Sequence, residues 1–391
     1  MKYIVSMGHK IYVVAPECVD AMLHEYRMLN IDLFNVSVIS RFSRFPRIGG
    51  VGRIIKIIKE NKIDIIHAQE HRSIGRAYLA AALSGKAFVY THAGGPYTKH
   101  AQPGRGEIIL FSRELFEEYI KGSPSSSENL HLVSARIDMD VFKPARITDE
   151  FVLKYNLPIT GKKVVMLTRL HPSKNVQFEQ VMTYAKFLNS GDEKIRFIIA
   201  GEGPIFEEIK KRVTEVNDGV KDGPIVRLLG PIYNVNEINQ LYNYADIVIG
   251  SGRGLLEAMA CSKPVIILGD GSEAEVLSSD NIEQVAYYNF SGRHFKFQKN
   301  PIGNLQQNVR NLINYKQLLQ EMGEFSLKYV ETAMNAKLGA VQIEQIYRKS
   351  LMRKPSIIDF CTWYLMEILN VALRIMRMGT YRSRDGKDEI L

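Results

Sequence analysis

The sequence predicts two α/β domains, each a doubly wound, Rossmann-like sheet with helices on both faces. Short apolar runs alternate with helical stretches along most of the chain, which is typical of parallel strands joined by helices. The chain has 391 residues, and a chain of this length divides into domains because one hydrophobic core does not grow that large. We therefore expect two domains followed by a shorter C-terminal segment.

The first predicted domain spans residues 1–147 and begins unusually. Its opening indicates the end of a helix, then Gly8-His9 and a strand over Ile11–Ala15, whereas such a domain ordinarily opens on a strand and a glycine-rich turn. We therefore expect this domain to lack its first strand and loop, through truncation or a misassigned start. The later strands are predicted over Val36–Ile39, Ile63–Ile66, Phe88–Tyr90, Ile108–Phe111 and Leu130–Val133, and the helices over Gly52–Asn61, Ser73–Ser84 and Arg113–Lys121.

The second predicted domain, residues 148–345, repeats the alternation. Two such domains joined by a short linker predict a cleft that suits a substrate. Residues 346–380 are predicted as a helical segment, and residues 381–391 as a disordered tail. The strands of the second domain are predicted over Val164–Leu167, Arg196–Ala200, Val226–Leu229, Asp246–Ile249 and Val265–Leu268, and the helices over Val176–Leu188, Ile205–Val216, Asn236–Tyr244 and Leu255–Ala260.

The most informative stretch is Ala245–Asp270, which predicts a strand, a glycine turn, a helix and another strand. Glycines within Gly250–Gly254 let a ligand approach the backbone closely. The pattern places Glu257 in the first turn of the helix, beyond the carboxyl end of a parallel strand, where α/β sheets bind ligands. A helix start also favours anions, so a carboxylate and a phosphate could share it. The alternative is that Glu257 only complements the helix dipole.

The composition describes a globular protein. Apolar residues make up 46% and charged residues 24% of the chain, which are ordinary values. Three cysteines, Cys18, Cys261 and Cys361, are far apart and odd in number, so we expect a reducing, cytoplasmic location without a disulfide framework. The start has no apolar leader core and the chain has no long uncharged apolar run, so neither a signal peptide nor a membrane-spanning helix is predicted.

Several short motifs occur together and in a fixed order. The second domain contains LTRLHPSKN, IIAGEGP, LLGPI and the stretch through Gly269, and the first contains the weaker GHKIYVVAP, DIIHAQ, YTHAGG and ARIDMDVFKP. In combination they resemble glycosyltransferase family 4, whose members are retaining enzymes of the GT-B fold with two Rossmann-like domains facing a cleft. The resemblance covers most of residues 1–345. It implies a UDP- or GDP-sugar as substrate, bound mainly by the second domain, and no tightly bound cofactor.

The resemblance also implies catalytic residues, among them Arg169 and Lys174, and donor-binding residues. Arg169 and Lys174 match the basic pair that neutralises the donor diphosphate, which gains negative charge as the glycosidic bond breaks. Arginine can bind phosphate bidentately, and lysine acts as a point charge. Glu257 matches the carboxylate that hydrogen-bonds the donor ribose. A solvated basic loop is the alternative for Lys174, and an ordinary turn is the alternative around Glu202. The remaining donor-binding candidates are Gly201, Glu202, Gly203, Gly252, Arg253, Gly254 and Leu255.

The chain departs from the family pattern at one position. The family has a second glutamate, eight residues before the one matched by Glu257, that contacts the sugar near its reacting carbon, and this chain has Ile249 there. The resemblance therefore does not extend to the residue that would orient the sugar and assist catalysis. By its position, Arg253 is a candidate for an alternative contact to phosphate or sugar.

On the acceptor side, His92 matches the family's loop histidine, which binds a donor-sugar hydroxyl or orients the acceptor; a structural role is the alternative. His67 is interpreted as a strand-end residue. Asp138 and Asp140 resemble the D-x-D metal motif of the GT-A fold, but their place before Phe142-Lys143-Pro144 fits the linker between GT-B domains better. We therefore predict no catalytic metal.

Charge adds a possible partner. The formal net charge is +9, and a basic cluster interleaved with apolar residues in the first domain favours contact with an anionic membrane. A solvated face is the alternative, and no nucleic-acid motif accompanies the cluster. Ser356 and Asp359 predict a cap for a helix over Ile357–Met378, which the resemblance places back on the first domain; docking of this helix on a membrane is the alternative. The basic residues are Arg41, Arg44, Arg47, Arg53, Lys56, Lys59 and Lys62.

The sequence thus predicts a metal-independent hexosyltransferase for cell-envelope or polysaccharide synthesis, cytoplasmic and in contact with the inner face of the membrane. By resemblance, the glycan or lipid-linked acceptor attacks on the face that the diphosphate leaves, so the anomeric configuration is retained. A sugar-nucleotide epimerase of the same fold is one alternative, and it would turn over without an acceptor. A non-catalytic nucleotide-sugar binding protein is the other, prompted by Ile249 and the missing first loop.

Overall fold

The computed structural model describes residues 1–15, 20–36, 49–69, 71–94, 102–122, 124–188, 194–221, 223–271, 273–297 and 304–385. The chain divides into two compact units. Unit 1 comprises Met1–Ser134 and Ala340–Leu391, and unit 2 comprises Ala135–Gly339. Predictions for Cys18, for Arg41, Arg44 and Arg47, and for residues 386–391 lie outside the described residues.

Strands and helices alternate as the apolar pattern predicts. The second strand lies at Asp32–Asn35 and not at the predicted Val36–Ile39, of which residues 37–39 lie outside the described residues. The strands are β1 (Tyr12–Ala15), β2 (Asp32–Asn35), β3 (Ile65–Ala68), β4 (Ala87–His92), β5 (Glu107–Leu110), β6 (Leu130–Leu132), β7 (Lys162–Leu167), β8 (Ile195–Ala200), β9 (Val226–Leu228), β10 (Ile247–Gly250), β11 (Val265–Leu268) and β12 (Ala274–Val276). The helices are α1 (Lys2–Ser6), α2 (Asp20–Met28), α3 (Val51–Glu60), α4 (His71–Ser84), α5 (Arg113–Gly122), α6 (Asp149–Lys154), α7 (Asn175–Leu188), α8 (Phe206–Asn217), α9 (Val235–Tyr244), α10 (Arg253–Ala260), α11 (Ile282–Tyr287), α12 (Leu305–Asn314), α13 (Lys316–Tyr329), α14 (Ala336–Ser350) and α15 (Ile357–Asp385).

Unit 1 is built on parallel strands, of which β3, β4, β5 and β6 pair in that order and β1 pairs with β2. One face of the four-stranded sheet buries Phe88 and Ile108 against α4, α5 and α15. The opposite face buries Val89 and Ile109 against α14 through Ile346. Successive residues of a strand point to opposite faces, so the uninterrupted apolar runs of β4 and β5 supply a core on both sides. The α/β prediction is confirmed for this unit.

Unit 2 contains a six-stranded sheet in the order β12-β11-β10-β7-β8-β9, in which only β12 is antiparallel. The chain moves outward from β7 through β8 to β9, then returns to the other side of β7 for β10 and β11. The strand order therefore reverses between β7 and β10. In open α/β sheets, ligands bind beyond the carboxyl ends of the strands at such a reversal, which directs attention to the residues that follow Leu167 and Gly250.

The predicted C-terminal helix is present as α15, and it packs on α4 within unit 1. It continues to Asp385, so the prediction of a disordered tail is wrong for residues 381–385. Phe360 and Trp363 lie in the same core cluster as Tyr78, with 5.7 Å between the ring centroids of Tyr78 and Trp363. Asp359 accepts hydrogen bonds from the N–H and the hydroxyl of Ser356, at 2.8 and 2.6 Å, so the predicted cap is formed. Within the described residues, no helix has the length and apolar character needed to cross a membrane.

Candidate donor-binding site

Two segments that are distant in sequence meet at the reversal of the sheet in unit 2. Lys174 ends a short 3-10 helix after β7, and its Nζ donates a hydrogen bond to Oγ of Ser251 at 2.5 Å. Gln177, which is 1% exposed, donates to the same hydroxyl at 3.3 Å and to the carbonyl of Leu268 at 3.2 Å. Burial lowers the pKa of Lys174, and the carboxylate of Asp270 opposes the change. A partly desolvated cation therefore lies against the glycine turn.

The glycine turn leaves room beside its backbone. Gly250 and Gly252 have φ angles of 142° and 82°, and a Cβ atom on either would meet nothing within 4 Å. The N–H of Gly252 donates to the carbonyl of Phe290 at 2.6 Å, which fixes the turn where α10 begins. The first N–H groups of a helix have no partner inside that helix, so an anion can approach this open backbone from the side where Lys174 lies.

Glu257 is the fifth residue of α10, since the helix begins at Arg253. The helix begins two residues before the predicted start at Leu255, so the prediction that Glu257 lies in the first helical turn is wrong, and Glu257 lies at the start of the second turn. Its Oε1 accepts from Nε of Arg253 at 2.7 Å, and its Oε2 accepts from the hydroxyl of Tyr242 at 3.3 Å. Burial raises the pKa of Glu257, and the nearby guanidinium of Arg253 opposes the change. The side chain of Arg253 is 60% exposed and that of Glu257 is 13% exposed, so the arginine is the more accessible partner.

A further cation, Arg136, lies near this pair. Its Nη2 donates to Oδ1 of Asn289 at 2.6 Å, and burial lowers the pKa of Arg136 to about 10, helped by the like charge of Arg253 and opposed by Glu257. Asn289 precedes Phe290, whose carbonyl holds Gly252. Arg136 was not singled out from the sequence. The only signal was its place in the motif ARIDMDVFKP.

Arg169 lies on the segment that connects β7 to Lys174, and its side chain is exposed. The glycines of the GEGP motif hold this segment. A Cβ atom on Gly201 would lie 1.9 Å from the carbonyl oxygen of Thr168, and one on Gly203 would lie 2.1 Å from that of Leu170. The N–H of Leu170 also donates to the carbonyl of Glu202 at 2.8 Å. The space beside both glycines is thus occupied by the backbone on either side of Arg169.

Gly201→Ala is expected to destabilise the protein by more than about 2 kcal/mol, because the new methyl group would overlap a backbone carbonyl. The matched control is Gly219→Ala, where φ is also positive but no atom lies within 4 Å of the Cβ position, so that only backbone strain of about 1 kcal/mol is expected. The midpoints of urea unfolding measure the loss of stability in the two variants. Equal losses in the two variants would show that the backbone around Arg169 does not need the glycine.

The other donor-site candidates have different environments. Leu255 is 1% exposed and belongs to an apolar core cluster, so its side chain is not available to a ligand. Gly254 packs closely, since its Cβ position is 3.1 Å from the hydroxyl of Tyr242. Glu202 is exposed and accepts a hydrogen bond from the hydroxyl of Tyr233. Ile249 lies in β10, and its side chain is 1% exposed and packs in the apolar core on one face of the sheet.

In unit 1, His92 ends β4 and is half-buried. Its Nδ1 lies 3.0 Å from the hydroxyl of Tyr119. His67 lies in β3, with Nδ1 2.8 Å from the hydroxyl of Tyr347 and Nε2 2.7 Å from Oγ1 of Thr91. Burial lowers the pKa of His67 to about 4. His67 is therefore a neutral residue held by two hydroxyl groups, which agrees with its interpretation as a strand-end residue.

The two aspartates of the D-x-D sequence form local contacts in unit 2. Oδ1 of Asp138 accepts from the N–H of Asp140 at 3.0 Å, and Oδ1 of Asp140 lies 3.3 Å from Nζ of Lys337. In the described parts of the chain, no three His, Cys, Asp or Glu side chains are grouped so that they could hold a metal ion.

Comparisons with known families match both halves of the chain. The profile of Glycosyltransferase Family 4 matches residues 1–119, and that of Glycosyl transferases group 1 matches residues 161–286. A probable sucrose-phosphate synthase from Thermosipho melanesiensis is 26% identical over 172 residues, which are 41% of this chain. The match spans only 37% of the length of that relative.

Solved structures share the fold at low identity. A glycosyltransferase from Rickettsia africae has a TM-score of 0.66 at 16% identity, over 90% of this chain and 92% of its own. Anabaena HepE in complex with UDP-glucose has a TM-score of 0.58 at 15% identity, over 88% of this chain and 99% of its own. WaaG, a glycosyltransferase involved in lipopolysaccharide biosynthesis, has a TM-score of 0.57 at 14% identity, over 88% and 92%. Residues 1–119 are thus similar to Glycosyltransferase Family 4 and residues 161–286 to Glycosyl transferases group 1, and the chain shares the fold of the GT-B glycosyltransferases.

Proposed function

We propose that this protein transfers a sugar from a nucleotide-diphosphate sugar to a glycan or lipid-linked acceptor, with retention of configuration, in cell-envelope or polysaccharide synthesis at the inner face of the membrane. The observation that carries the proposal is the contact of Lys174 with Ser251 beside the open glycine turn. It combines a partly desolvated cation, accessible backbone and a helix start at the place where an α/β sheet binds phosphate groups.

In the proposed complex, the donor diphosphate lies against the glycine turn and is neutralised by Lys174 and Arg169. Glu257 accepts hydrogen bonds from the ribose hydroxyls. Arg253 pairs with Glu257 in the structure, and being exposed it can turn to a phosphate oxygen or the sugar when the ribose takes its place. Arg136 then keeps positive charge near Glu257, which favours the ionised carboxylate against the effect of burial.

The proposed reaction exchanges one bond for another at the anomeric carbon. The acceptor oxygen forms a bond to the anomeric carbon while the bond between that carbon and the diphosphate oxygen breaks. The departing phosphate oxygen takes the proton of the acceptor hydroxyl. The basic pair contributes most where the leaving group gains charge. His92 of unit 1 is proposed to bind a sugar hydroxyl or orient the acceptor. UDP-sugars are the first donors to examine because HepE has been solved with UDP-glucose. GDP-sugars remain candidates.

The test is a thermal-shift and calorimetry panel with UDP, GDP and ADP, followed by turnover of the sugar nucleotide whose base binds. A glycosyltransferase is expected to show binding to one base, slow donor hydrolysis, and transfer with retained configuration once an acceptor is supplied. Conversion of the donor to an epimer without acceptor would favour the epimerase instead. Binding with neither transfer nor hydrolysis would indicate a nucleotide-sugar binding protein. Failure to bind any of the three nucleotides would contradict the proposed donor site.

A further inference from the structure

The solvent-facing side of α15 is apolar. Five side chains on this side are largely exposed: Ile358 (73%), Leu365 (66%), Met366 (52%), Leu369 (51%) and Leu373 (42%). We call these five residues the α15 stripe. Single exposed apolar side chains are ordinary on a protein surface, whereas a contiguous row of this kind marks a surface that contacts something else.

The opposite side of α15 is also apolar. Phe360, Trp363 and Val371 are buried at 6%, 3% and 7% exposure, and the first two pack in the core with α4. Apart from Glu367, which is also buried, α15 is apolar on two opposite sides, which is typical of a helix that is covered on both. Packing on α4 covers only one side, so the α15 stripe needs a second neighbour.

Charged groups are kept away from the α15 stripe. Between residues 357 and 373, the charged residues are Asp359 and Glu367. Asp359 accepts from Ser356 at the helix cap and lies 3.6 Å from Nε of Arg105, and Glu367 is 2% exposed. Glu367 is buried, and the carboxylate of Asp359, which is 25% exposed, pairs with Arg105, so the stripe offers little repulsion to an anionic surface.

Basic residues flank the α15 stripe in sequence at both ends. Four lie between residues 348 and 354 and four between residues 374 and 384. Neither of these two ranges contains an acidic residue, and Asp385 is the next one in the chain. The basic residues are Arg348, Lys349, Arg353 and Lys354 before it, and Arg374, Arg377, Arg382 and Arg384 after it. An apolar stripe bounded by basic residues is the pattern of a helix that lies in the headgroup region of an anionic membrane.

The rival membrane surface predicted from sequence is α3. Its basic residues Arg53, Lys56 and Lys59 are exposed, but the isoleucines beside them are turned inward, with Ile54 and Ile58 in a core cluster with Ala80 of α4. The exposed side of α3 is therefore charged without an apolar stripe. In the described part of unit 1, an exposed apolar stripe with basic residues on either side in sequence is therefore found at α15 and not at α3.

We propose that the α15 stripe is a docking surface for an anionic lipid bilayer, on which it lies parallel to the membrane plane. A second copy of the chain is a poorer occupant. Two α15 helices packed stripe to stripe, whether parallel or antiparallel, would bring basic flanks together, and like charges oppose association. The inference rests on the membrane contact in the proposed function and assigns it to a surface.

The decisive variant is Leu365→Glu with Leu369→Glu. The matched control is Leu153→Glu with Ile159→Glu in unit 2, where the side chains are 78% and 85% exposed, so that both proteins gain the same charge at exposed apolar positions. Cosedimentation is measured with phosphatidylcholine vesicles containing phosphatidylglycerol and with pure phosphatidylcholine. We expect the wild type and the control to bind the anionic vesicles in a salt-sensitive way, and the stripe variant to bind at least about 10-fold more weakly.

Two reporters separate docking from unfolding. Trp363 is the single tryptophan, and unchanged emission in the stripe variant would show that α15 still packs on α4. Exposed Cys361 lies on the helix, so an environment-sensitive thiol dye there is expected to shift to the blue with anionic vesicles, with Cys361→Ser as the labelling control. Nucleotide binding, measured in every variant, shows whether the donor site is intact independently of the membrane result.

Three outcomes would overturn the inference. The first is failure of the wild type to bind anionic vesicles although its nucleotide binding is intact. The second is equal binding by the stripe variant. The third is a dimer of the wild type in sedimentation velocity that the stripe variant does not form, because a second copy would then cover the α15 stripe.

Discussion

Glu257→Gln is expected to weaken binding of the donor nucleotide by about 10- to 100-fold. A hydrogen bond to a charged group contributes about 1.5–3 kcal/mol, and each 1.4 kcal/mol changes affinity about tenfold. Glutamine keeps the shape of the side chain but loses the charge that accepts from the ribose hydroxyls and balances Arg253, which donates to Oε1 at 2.7 Å. Isothermal titration calorimetry with UDP and GDP measures the change.

A 2′-deoxynucleotide tests whether the loss arises at the ribose. The wild type should bind the 2′-deoxy form more weakly than the parent nucleotide, whereas Glu257→Gln should bind the two about equally, because groups that interact directly are not additive. Glu237→Gln is a matched control, since Glu237 is 21% exposed and likewise contacts a cation, Lys154, and a tyrosine, Tyr155. If Glu257→Gln weakened the binding of both nucleotides by the same factor, the proposed ribose contact would be contradicted.

Local pattern was sufficient to predict the strands and the turn of the proposed donor site. The apolar run of β10 and the glycines after it are a few residues apart, so periodicity and backbone freedom locate them. The start of α10 was misplaced because it depends on a distant loop. The carbonyl of Phe290 holds the N–H of Gly252, and the helix begins directly after that glycine.

The contacts that complete the site join residues far apart in sequence. Ser251 and Gln177 became evident only when the sheet order brought Lys174 beside the glycine turn. Arg136 precedes Glu257 by more than a hundred residues. Its charge acts on the carboxylate only because the fold of unit 2 brings the two residues near each other. Periodicity carries no information on such pairs.

The glycines of the GEGP motif illustrate a different limit. A glycine at a strand end indicates that the backbone must approach something closely, but not what it approaches. In the structure, that neighbour is the carbonyl of Thr168 or Leu170. Gly201 and Gly203 therefore position the Arg169 segment, and their proposed part in donor binding acts through the arginine.

Lys174→Met is expected to lower kcat by about 10²- to 10³-fold, because a preorganised positive group is lost where the leaving diphosphate gains charge. Lys210→Met is the matched control, since Lys210 lies on α8 with a side chain that is 62% exposed, and it should leave kcat unchanged. Steady-state kinetics with a saturating acceptor separates the parameters. A normal kcat with a raised KM would mean that Lys174 binds the ground state and the transition state equally.

The pH profile gives an independent test of Lys174. Because burial lowers the pKa of its ammonium group and the charged form is the active one, kcat/KM should fall as the pH rises through that lowered pKa, earlier than for an ordinary lysine. In Lys174→Arg the guanidinium stays protonated, so this alkaline limb should move to higher pH even if the rate at neutral pH is reduced. A limb that stays in place in Lys174→Arg would assign the titration to another group and leave Lys174 without its proposed electrostatic role.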